Sequence, residues 1–475
     1  MTSTKRAKLL IGGSWVEGAS TIDVIDKFSG KRIGMVDCAS HAQVDAAVAA
    51  AKKSFETTKL DAQTRYQILS KASQLIEERR AEIIETIVAE AGFPISIADS
   101  EVTRSIQTFL LSAEEAKRLS GEVVPIEAAP GSAHRMGFTI RVPRGVVCGI
   151  TSFNSPFNMV AHKVAPALAS GNTVVIKPPH TTPFSAVIIC EILLAAGLPP
   201  SHLNLVQGVG PEVGPWLVAN QAIALYTFTG STEVGRQIQK DVGLRPVTLE
   251  LGSVSATLVC EDADLKRAAM LCAGSAFRRA GQVCTSIQRL FVHKSVAEQF
   301  TAELVNVTAN LKVGDPHDPQ TSIGPMISEP DAERAEAWVQ EAVKGGARIL
   351  HGGTRKGALM QPTILTNVDA KARVVTQEIF APVLSVIPYS DFDAAIADVN
   401  VLPYGLAAGI FTRDIDRAMK AARQLHVGVV HINESSSSRV DLMPFAGMKD
   451  SGVGREGPKY AMQEMTEERL ITFSL

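Results

Sequence analysis

A residue placed for covalent chemistry is Cys284, in the run Arg279-Ala280-Gly281-Gln282-Val283-Cys284-Thr285-Ser286, where a glycine makes the approach to the thiol conformationally permissive. Upstream, the apolar, strand-like run Val247-Thr248-Leu249 leads to Glu250, Leu251 and Gly252. A thiol attacks a carbonyl as its thiolate, so it needs a nearby base or an electropositive setting. A carboxylate brought to the cysteine by folding would be such a base. A cysteine alone is equally a small buried hydrophobe. Lys177, at the end of the apolar run Thr173-Val174-Val175-Ile176, could reach ribose hydroxyls or phosphates, and it could equally be a solvated strand end. Phe228-Thr229-Gly230-Ser231-Thr232-Glu233-Val234-Gly235 follows a strand and opens a helix. Glycine there lets backbone N–H groups approach a phosphate at a helix N-terminus, or simply makes a strand-to-helix turn. Gly208-Val209-Gly210-Pro211-Glu212-Val213-Gly214 departs from the G-x-G-x-x-G dinucleotide pattern.

Elements that position such groups need room. A chain of 475 residues is too long for one ordinary core, which predicts two or three domains. With 45% hydrophobic and 20% charged residues the composition is that of a globular protein, and a net charge of −2 offers no bulk attraction to nucleic acid or to an anionic membrane. None of the six cysteines forms a C-x-x-C pair, which favours reduced thiols in a cytoplasmic setting. The ten histidines show no H-E-x-x-H spacing, so no metal is expected. The apolar run Leu9-Leu10-Ile11 is too short for a signal peptide, and no stretch is long enough to span a membrane.

Short strands are expected over 11–16 and 22–25, then amphipathic helices over 42–56, 61–80, 81–91 and 96–120. Two strand-like runs, 122–126 and 136–142, flank a turn-rich segment and form either an arm for a partner or an ordinary edge ribbon. From 145 to 252 strands and helices alternate, with strands at 146–150, 173–177, 203–206, 225–228 and 247–251. Apolar strands separated by helices imply a parallel sheet covered on both faces, with ligands at the carboxyl ends of its strands. Beyond 253 the alternation resumes, with strands at 258–260, 289–292, 382–387 and 429–432 and helices over 264–278, 295–310, 392–400 and 414–424, which predicts a second α/β domain. A terminal strand at 469–473 needs a partner.

Seven segments together carry a resemblance: Thr151-Ser152-Phe153-Asn154-Ser155-Pro156, Ala167 through Pro178, Phe228-Thr229-Gly230-Ser231, Leu249-Glu250-Leu251-Gly252, Gly281-Gln282-Val283-Cys284, Glu378-Ile379-Phe380-Ala381-Pro382 and Pro444 through Lys449. The chain resembles the NAD(P)-dependent aldehyde dehydrogenases, over essentially its full length and in the family's order. The resemblance implies a Rossmann-type parallel-sheet cofactor domain (residues 1–120 and 144–252), a second α/β catalytic domain (253–449) and a small β oligomerisation arm (121–143 with 450–475). It makes Cys284 the nucleophile, Asn154 an oxyanion-hole donor alongside the Cys284 backbone N–H, and Glu250 the base that activates the hydrolytic water. Lys177 maps to the adenosine ribose, Ser231 to the phosphates, Glu378 and Phe380 to the nicotinamide ribose, and Gly230 and Gly235 to the adjoining turn and helix. It also implies a homodimer or homotetramer.

Phe153 stands where the family often has tryptophan, and Ala381 and Ala446 where glycine is common. His180 stands where NAD-preferring members often carry glutamate, which leaves both NAD and NADP open as cofactor. In the family, the regions holding Arg104, His162 and Arg439 border the substrate tunnel, so these side chains could grip an anionic tail, or could have local partners instead. The expected activity is oxidation of a small aldehyde to the free acid. A CoA-acylating enzyme and a catalytically silent protein on the same fold are the alternatives. Glu250, which the acylating branch typically lacks, speaks against the first, and joint retention of Cys284, Asn154, Glu250, Lys177 and Glu378 against the second.

Overall fold

The computed structural model describes residues 5–475. Five strands, Val146–Ile150, Thr173–Lys177, Leu203–Leu205, Ile223–Thr229 and Val247–Glu250, run parallel and alternate with the helices Pro156–Ala169, Phe184–Ala195, Gly210–Ala219 and Thr232–Asp241. The strands are apolar on both faces because helices cover both, and every residue of Thr173–Lys177 is buried. Their spatial order places Ile223–Thr229 beside Val146–Ile150, so the chain reverses its direction of travel across the sheet between these two strands. Such a switch point opens a crevice at the strands' carboxyl ends. Leu9–Ile11 and Ser14–Val16 extend one edge and Gly452–Val453 the other, all antiparallel, giving eight strands.

A second sheet has seven strands, in the order Arg348–His351, Thr363–Thr366, Val383–Tyr389, Ile287–His293, Ser255–Val259, Ala407–Phe411 and Val429–Ile432. All its neighbours are parallel except the first pair. Only four residues separate Glu250, at the carboxyl end of a strand in the first sheet, from Ser255–Val259 in the second. The crevice of one sheet therefore opens onto the amino-terminal edge of the other, where Ser253, Cys284 and Glu378 lie.

The helix Ile95–Ala116 buries Ala98, Val102, Ser105, Phe109, Ala113 and Ala116 at three- and four-residue spacing, against the helices Ala62–Glu78 and Pro156–Ala169. Pro156–Ala169 is buried on every side; it is largely apolar, and its His162 and Lys163 meet buried carboxylates. Glu329–Lys344 is a further helix, capped by the Ser328 side chain accepting from the Asp331 N–H.

The terminal strand finds its partner within the chain: Thr466–Ser474 pairs antiparallel with Arg135–Pro143, Thr466 facing Pro143 and Ser474 facing Arg135. Val123–Val124 closes this three-stranded arm. The strand expected over 122–126 is shorter than its apolar run because Pro125 has no N–H to give, and 126–128 turn into a 3-10 helix. The terminal strand's outer edge is unpaired and displays Leu470 (53% exposed) and Phe473 (45% exposed). Among the described residues, no helix is long and apolar enough to cross a membrane.

Candidate active site

The loop after Val146–Ile150 holds Asn154, which is buried. Its side-chain oxygen accepts from the Ser152 hydroxyl at 2.7 Å, which commits the oxygen and leaves the NH2 group free to donate. Its backbone oxygen accepts from Arg279 Nη1 at 2.9 Å. Arg279 Nη2 pairs with Glu101 Oε2 at 3.0 Å, and Glu101 Oε1 accepts from the Phe157 and Asn158 N–H groups at 2.9 and 3.1 Å. A fully buried carboxylate thus caps the helix Pro156–Ala169 and ties the loop of Asn154 to the segment of Cys284.

That segment turns through three successive left-handed residues, Arg279 (φ 52°), Ala280 (φ 52°) and Gly281 (φ 70°). Two of them carry side chains, and each costs about 1 kcal/mol or more. The Arg279 bonds offset this, as does Gln282, which donates to the Arg279 carbonyl at 3.2 Å and accepts from the Ile327 N–H at 3.0 Å. At Gly281 a β-carbon would lie 2.1 Å from the Ala381 carbonyl oxygen, so only glycine fits. The turn delivers Cys284 to a cavity, and Cys284 is partly accessible while the other five cysteines are buried.

The cavity has a volume of about 260 Å³ and is lined by Asn154, Glu250, Cys284, Glu378, Phe380 and Arg439, together with Ser231, Arg334 and Glu456. It shares Ser152, Phe153, Thr229 and Gly230 with a larger cleft of about 610 Å³ that holds Lys177 and His180. The structure therefore brings Cys284, Asn154 and Glu250 to one cavity, and the expected cofactor residues Lys177, Gly230, Ser231, Glu378 and Phe380, but not Gly235, to that cavity and its continuation.

Charges in this enclosure are poorly solvated. Burial, and then the neighbouring Glu250, push the Cys284 thiol up to about 12. Both Glu250 oxygens are buried without a hydrogen-bond partner. Burial, and then the charge of Glu456, hold the Glu250 carboxyl well above the usual range. Glu456 goes the other way: burial opposes its ionisation, but contact with Lys163 and the nearby charges of His162 and Arg439 outweigh that. Glu378 accepts from the Ser253 N–H at 2.9 Å, and burial pushes it to about 7. Phe380 has φ 50° and meets Phe153 edge to face at 5.9 Å.

In the cleft, burial lowers the Lys177 ammonium to about 8. It donates only to the Pro178 carbonyl, at 3.2 Å, and no carboxylate pairs with it among the described residues. Ser231 caps the helix Thr232–Asp241 by accepting from the Val234 N–H at 3.4 Å. Gly235 faces away from both cavities: a β-carbon there would lie 2.3 Å from Leu251, so it lets this helix pack closely on the end of the sheet.

The three expected substrate residues separate. Arg439 lines the cavity. Its guanidinium lies 3.9 Å from the Phe445 ring centroid and 3.5 Å from Glu456, with Nε and Nη2 buried and lacking hydrogen-bond partners. Arg104 and His162 do not line it. Arg104 holds Asp441 with both ends of its fork, at 2.7 and 3.2 Å, and His162 Nε2 lies 2.9 Å from the same carboxylate. Both thus follow the alternative of local partners: Asp441 engages the Arg104 fork and His162 Nε2, while His162 Nδ1 is buried without a hydrogen-bond partner. Sequence reasoning missed Asp441, Glu101 and Arg278. Arg278 is a partly buried arginine that donates to the Ser437 carbonyl and hydroxyl and is lowered to about 9 by desolvation and then by Arg279. The only local signal was the charge of each side chain.

The chain matches the model of the aldehyde dehydrogenase family over residues 15–471. It is 47% identical over 475 residues to a 3-sulfolactaldehyde dehydrogenase of Priestia megaterium, covering 100% of this chain and 99% of that protein. A lactaldehyde dehydrogenase of Methanocaldococcus jannaschii is 39% identical over 98% of this chain and 100% of its own length. Among solved structures, the NADP-dependent glyceraldehyde-3-phosphate dehydrogenase of Bacillus halodurans in complex with NADP superposes with a TM-score of 0.97 at 37% identity, over 99% of this chain and 100% of that one. With matches of this length in sequence and in fold, the chain belongs to the aldehyde dehydrogenase family.

Proposed function

We propose that this enzyme oxidises a small aldehyde carrying an anionic tail to the free carboxylic acid, with NAD or NADP as oxidant. The observation that carries the reaction is the meeting of the one accessible thiol, a free amide NH2 and an unpartnered carboxylate in a cavity continuous with a dinucleotide-sized cleft. The cleft suits such a cofactor. Val218, Ile238 and Pro211 give apolar walls, Lys177 is an ammonium without an anion, Gly230 and Ser231 open a helix N-terminus towards phosphate, and Glu378 is a carboxylate for ribose hydroxyls. Gly235 serves by seating that helix.

Cys284 attacks the aldehyde carbon, and the Asn154 NH2 with the Cys284 N–H steadies the oxygen that becomes negative. Bound in the cleft, the oxidised nicotinamide supplies the hydride acceptor that leaves a thioester on Cys284. Glu250 then takes a proton from water as the water attacks the thioester carbon. Its two unpaired oxygens and raised proton affinity suit a general base at neutral pH. Phe380 and Phe153 wall the cavity beside Glu378.

The anionic tail is inferred from Arg439. Arg334 and Arg439 line the cavity with Glu250, Glu378 and Glu456, and burial biases Glu250 and Glu378 towards their neutral forms. Of Arg104 and Arg439, only Arg439 lines the cavity, and its Nε and Nη2 lack hydrogen bonds. Relatives named for 3-sulfolactaldehyde and glyceraldehyde 3-phosphate, which bear a sulfonate and a phosphate, agree with this; the lactaldehyde relative sets the neutral comparison. In this reading residues 1–120 and 144–252 hold the cofactor, 253–449 carry the nucleophile, and 121–143 with the terminal strand pair subunits into a dimer or tetramer through their open edge.

Steady-state kinetics with 3-sulfolactaldehyde, glyceraldehyde 3-phosphate, glyceraldehyde and lactaldehyde, each with both cofactors, test this reading. The anionic member of each pair is expected to have the higher kcat/KM, and equal values for charged and uncharged partners sink the anionic assignment.

A further inference from the structure

The loop that carries Arg439 is held at two points of different kinds. Its first anchor is its own Ser436 and Ser437, which bond to Thr285 beside the nucleophile and to Thr257 on the strand Ser255–Val259. The Ser436 N–H donates to Thr257 Oγ1 at 3.2 Å, the Ser436 hydroxyl donates to the Thr285 carbonyl at 2.8 Å, and Ser437 Oγ lies 2.9 Å from Thr285 Oγ1. Its second anchor is Asp441. Between Ser437 and the buried Phe445, Asp441 is the single buried residue, and its neighbours Val440 and Leu442 are 53% and 68% exposed. Apolar packing therefore does not fix this span; one carboxylate does. Two helices converge on it: Arg104 from Ile95–Ala116, with a two-pronged pair at 2.7 and 3.2 Å, and His162 from Pro156–Ala169, at 2.9 Å.

We infer that Asp441 is the positioning residue for substrate charge, holding Arg439 over the cavity while Arg104 and His162 act through it rather than on substrate. This rests on the anion-binding reading of Arg439 given above. The geometry favours it over direct binding by Arg104. A bidentate arginine–carboxylate pair is among the stronger contacts available, and a substrate tail would have to displace it. Arg439 has the opposite character. Its planar fork rests on the Phe445 ring, two of its nitrogens lack hydrogen bonds, and Glu456, its nearest carboxylate, is shared with Lys163. Arg439 lies only two residues from Asp441, so a shift of the anchor passes almost directly to the guanidinium. In such sites a displacement of about 1 Å is felt as a large loss of productive binding.

The test is a double-mutant cycle read as the ratio of kcat/KM for glyceraldehyde 3-phosphate to that for glyceraldehyde, two substrates that differ only in the phosphate. Arg439→Met is expected to lower this ratio by about tenfold or more, as loss of one charge-assisted contact does. Asp441→Asn is expected to lower it about tenfold through KM for the phosphorylated substrate, with kcat at saturation within about threefold of the parent. On the Arg439→Met background, Asp441→Asn is expected to lower the ratio no further. An equal further fall on that background overturns the inference, as does a common fall in kcat for both substrates. If Arg439→Met itself leaves the ratio unchanged, the anion-binding reading fails. If Arg439→Met collapses the ratio and Asp441→Asn does not, only the positioning role fails. Should Asp441→Asn prove unfolded by thermal melting, the same cycle is read from Arg104→Lys and His162→Gln, each of which removes one of the two grips on Asp441 and is expected to lower the ratio less.

Discussion

The cofactor cleft and the catalytic cavity adjoin, yet they are built on opposite plans. The cleft is made by consecutive strand–helix units whose loops lie side by side because the sheet is parallel, and Lys177 within it has no carboxylate partner among the described residues. The cavity draws on segments near 154, 250, 284, 378, 439 and 456, and it concentrates groups that burial leaves uncomfortable. Preorganised chemistry needs charges that are poorly satisfied until substrate arrives, and these are the features that cost stability. The cavity also differs within itself. Asn154 is braced through Arg279 and Glu101, while Glu250 is left without a partner. In the proposed mechanism, orientation is rigid where an oxyanion would be met, and hydrogen-bonding capacity is open where water would be bound.

This contrast predicts that substitutions on the cavity side change kcat and those on the cleft side change cofactor affinity. The largest effect is expected for Cys284→Ser, at least about a thousandfold in kcat/KM in steady-state assays, because the hydroxyl is far less readily ionised. Glu250→Gln is expected to lower turnover by roughly 10²- to 10⁴-fold while rapid mixing still shows a burst of reduced cofactor, since the acyl enzyme forms and then waits for water. Absence of the burst would move Glu250 to the first step. Asn154→Ala is expected to lower kcat about 10²- to 10³-fold with KM for the cofactor kept. Lys177→Met, on the cleft side, is expected to raise the cofactor Kd by about tenfold in a fluorescence titration and to leave kcat at saturating cofactor nearly intact. A kcat effect as large as that of Asn154→Ala would erase the distinction between the two regions.

The smallest expected effect concerns stability and carries a sign. Glu378 has its folded-state pKa raised to about 7 by burial, above the ordinary 4.5. A raised acid stabilises the fold fully below its unfolded value and loses that contribution as pH climbs through about 7. Glu378→Gln is therefore expected to melt higher than the parent at pH near 8, by an amount on the order of 1–3 kcal/mol, and to show no advantage near pH 4. An advantage that is independent of pH would mean that packing, not charge, sets it.

Strand–helix alternation between 145 and 252 was legible because apolar runs bounded by turns leave little choice of sheet type. The helix Glu329–Lys344 was not, since its buried face is Ala332, Ala335, Val339 and Ala342, and alanine barely marks an amphipathic pattern. The strand Ala407–Phe411 was obscured in the same way by alanine and glycine. In the site, Cys284, Glu250 and Asn154 were nominated through the family resemblance, and the structure gathers all three at one cavity. Which arginine faces the cavity could not be named, because that depends on Asp441, whose partners lie 337 and 279 residues away. A charge is visible in a sequence; its neutralisation is a property of the fold.

The five sealed thiols and the sixth, which burial keeps protonated, have a consequence for survival. Peroxides and disulfides react with thiolates, so an idle enzyme offers them almost nothing to oxidise. Its nucleophile is exposed to that damage chiefly while it is at work.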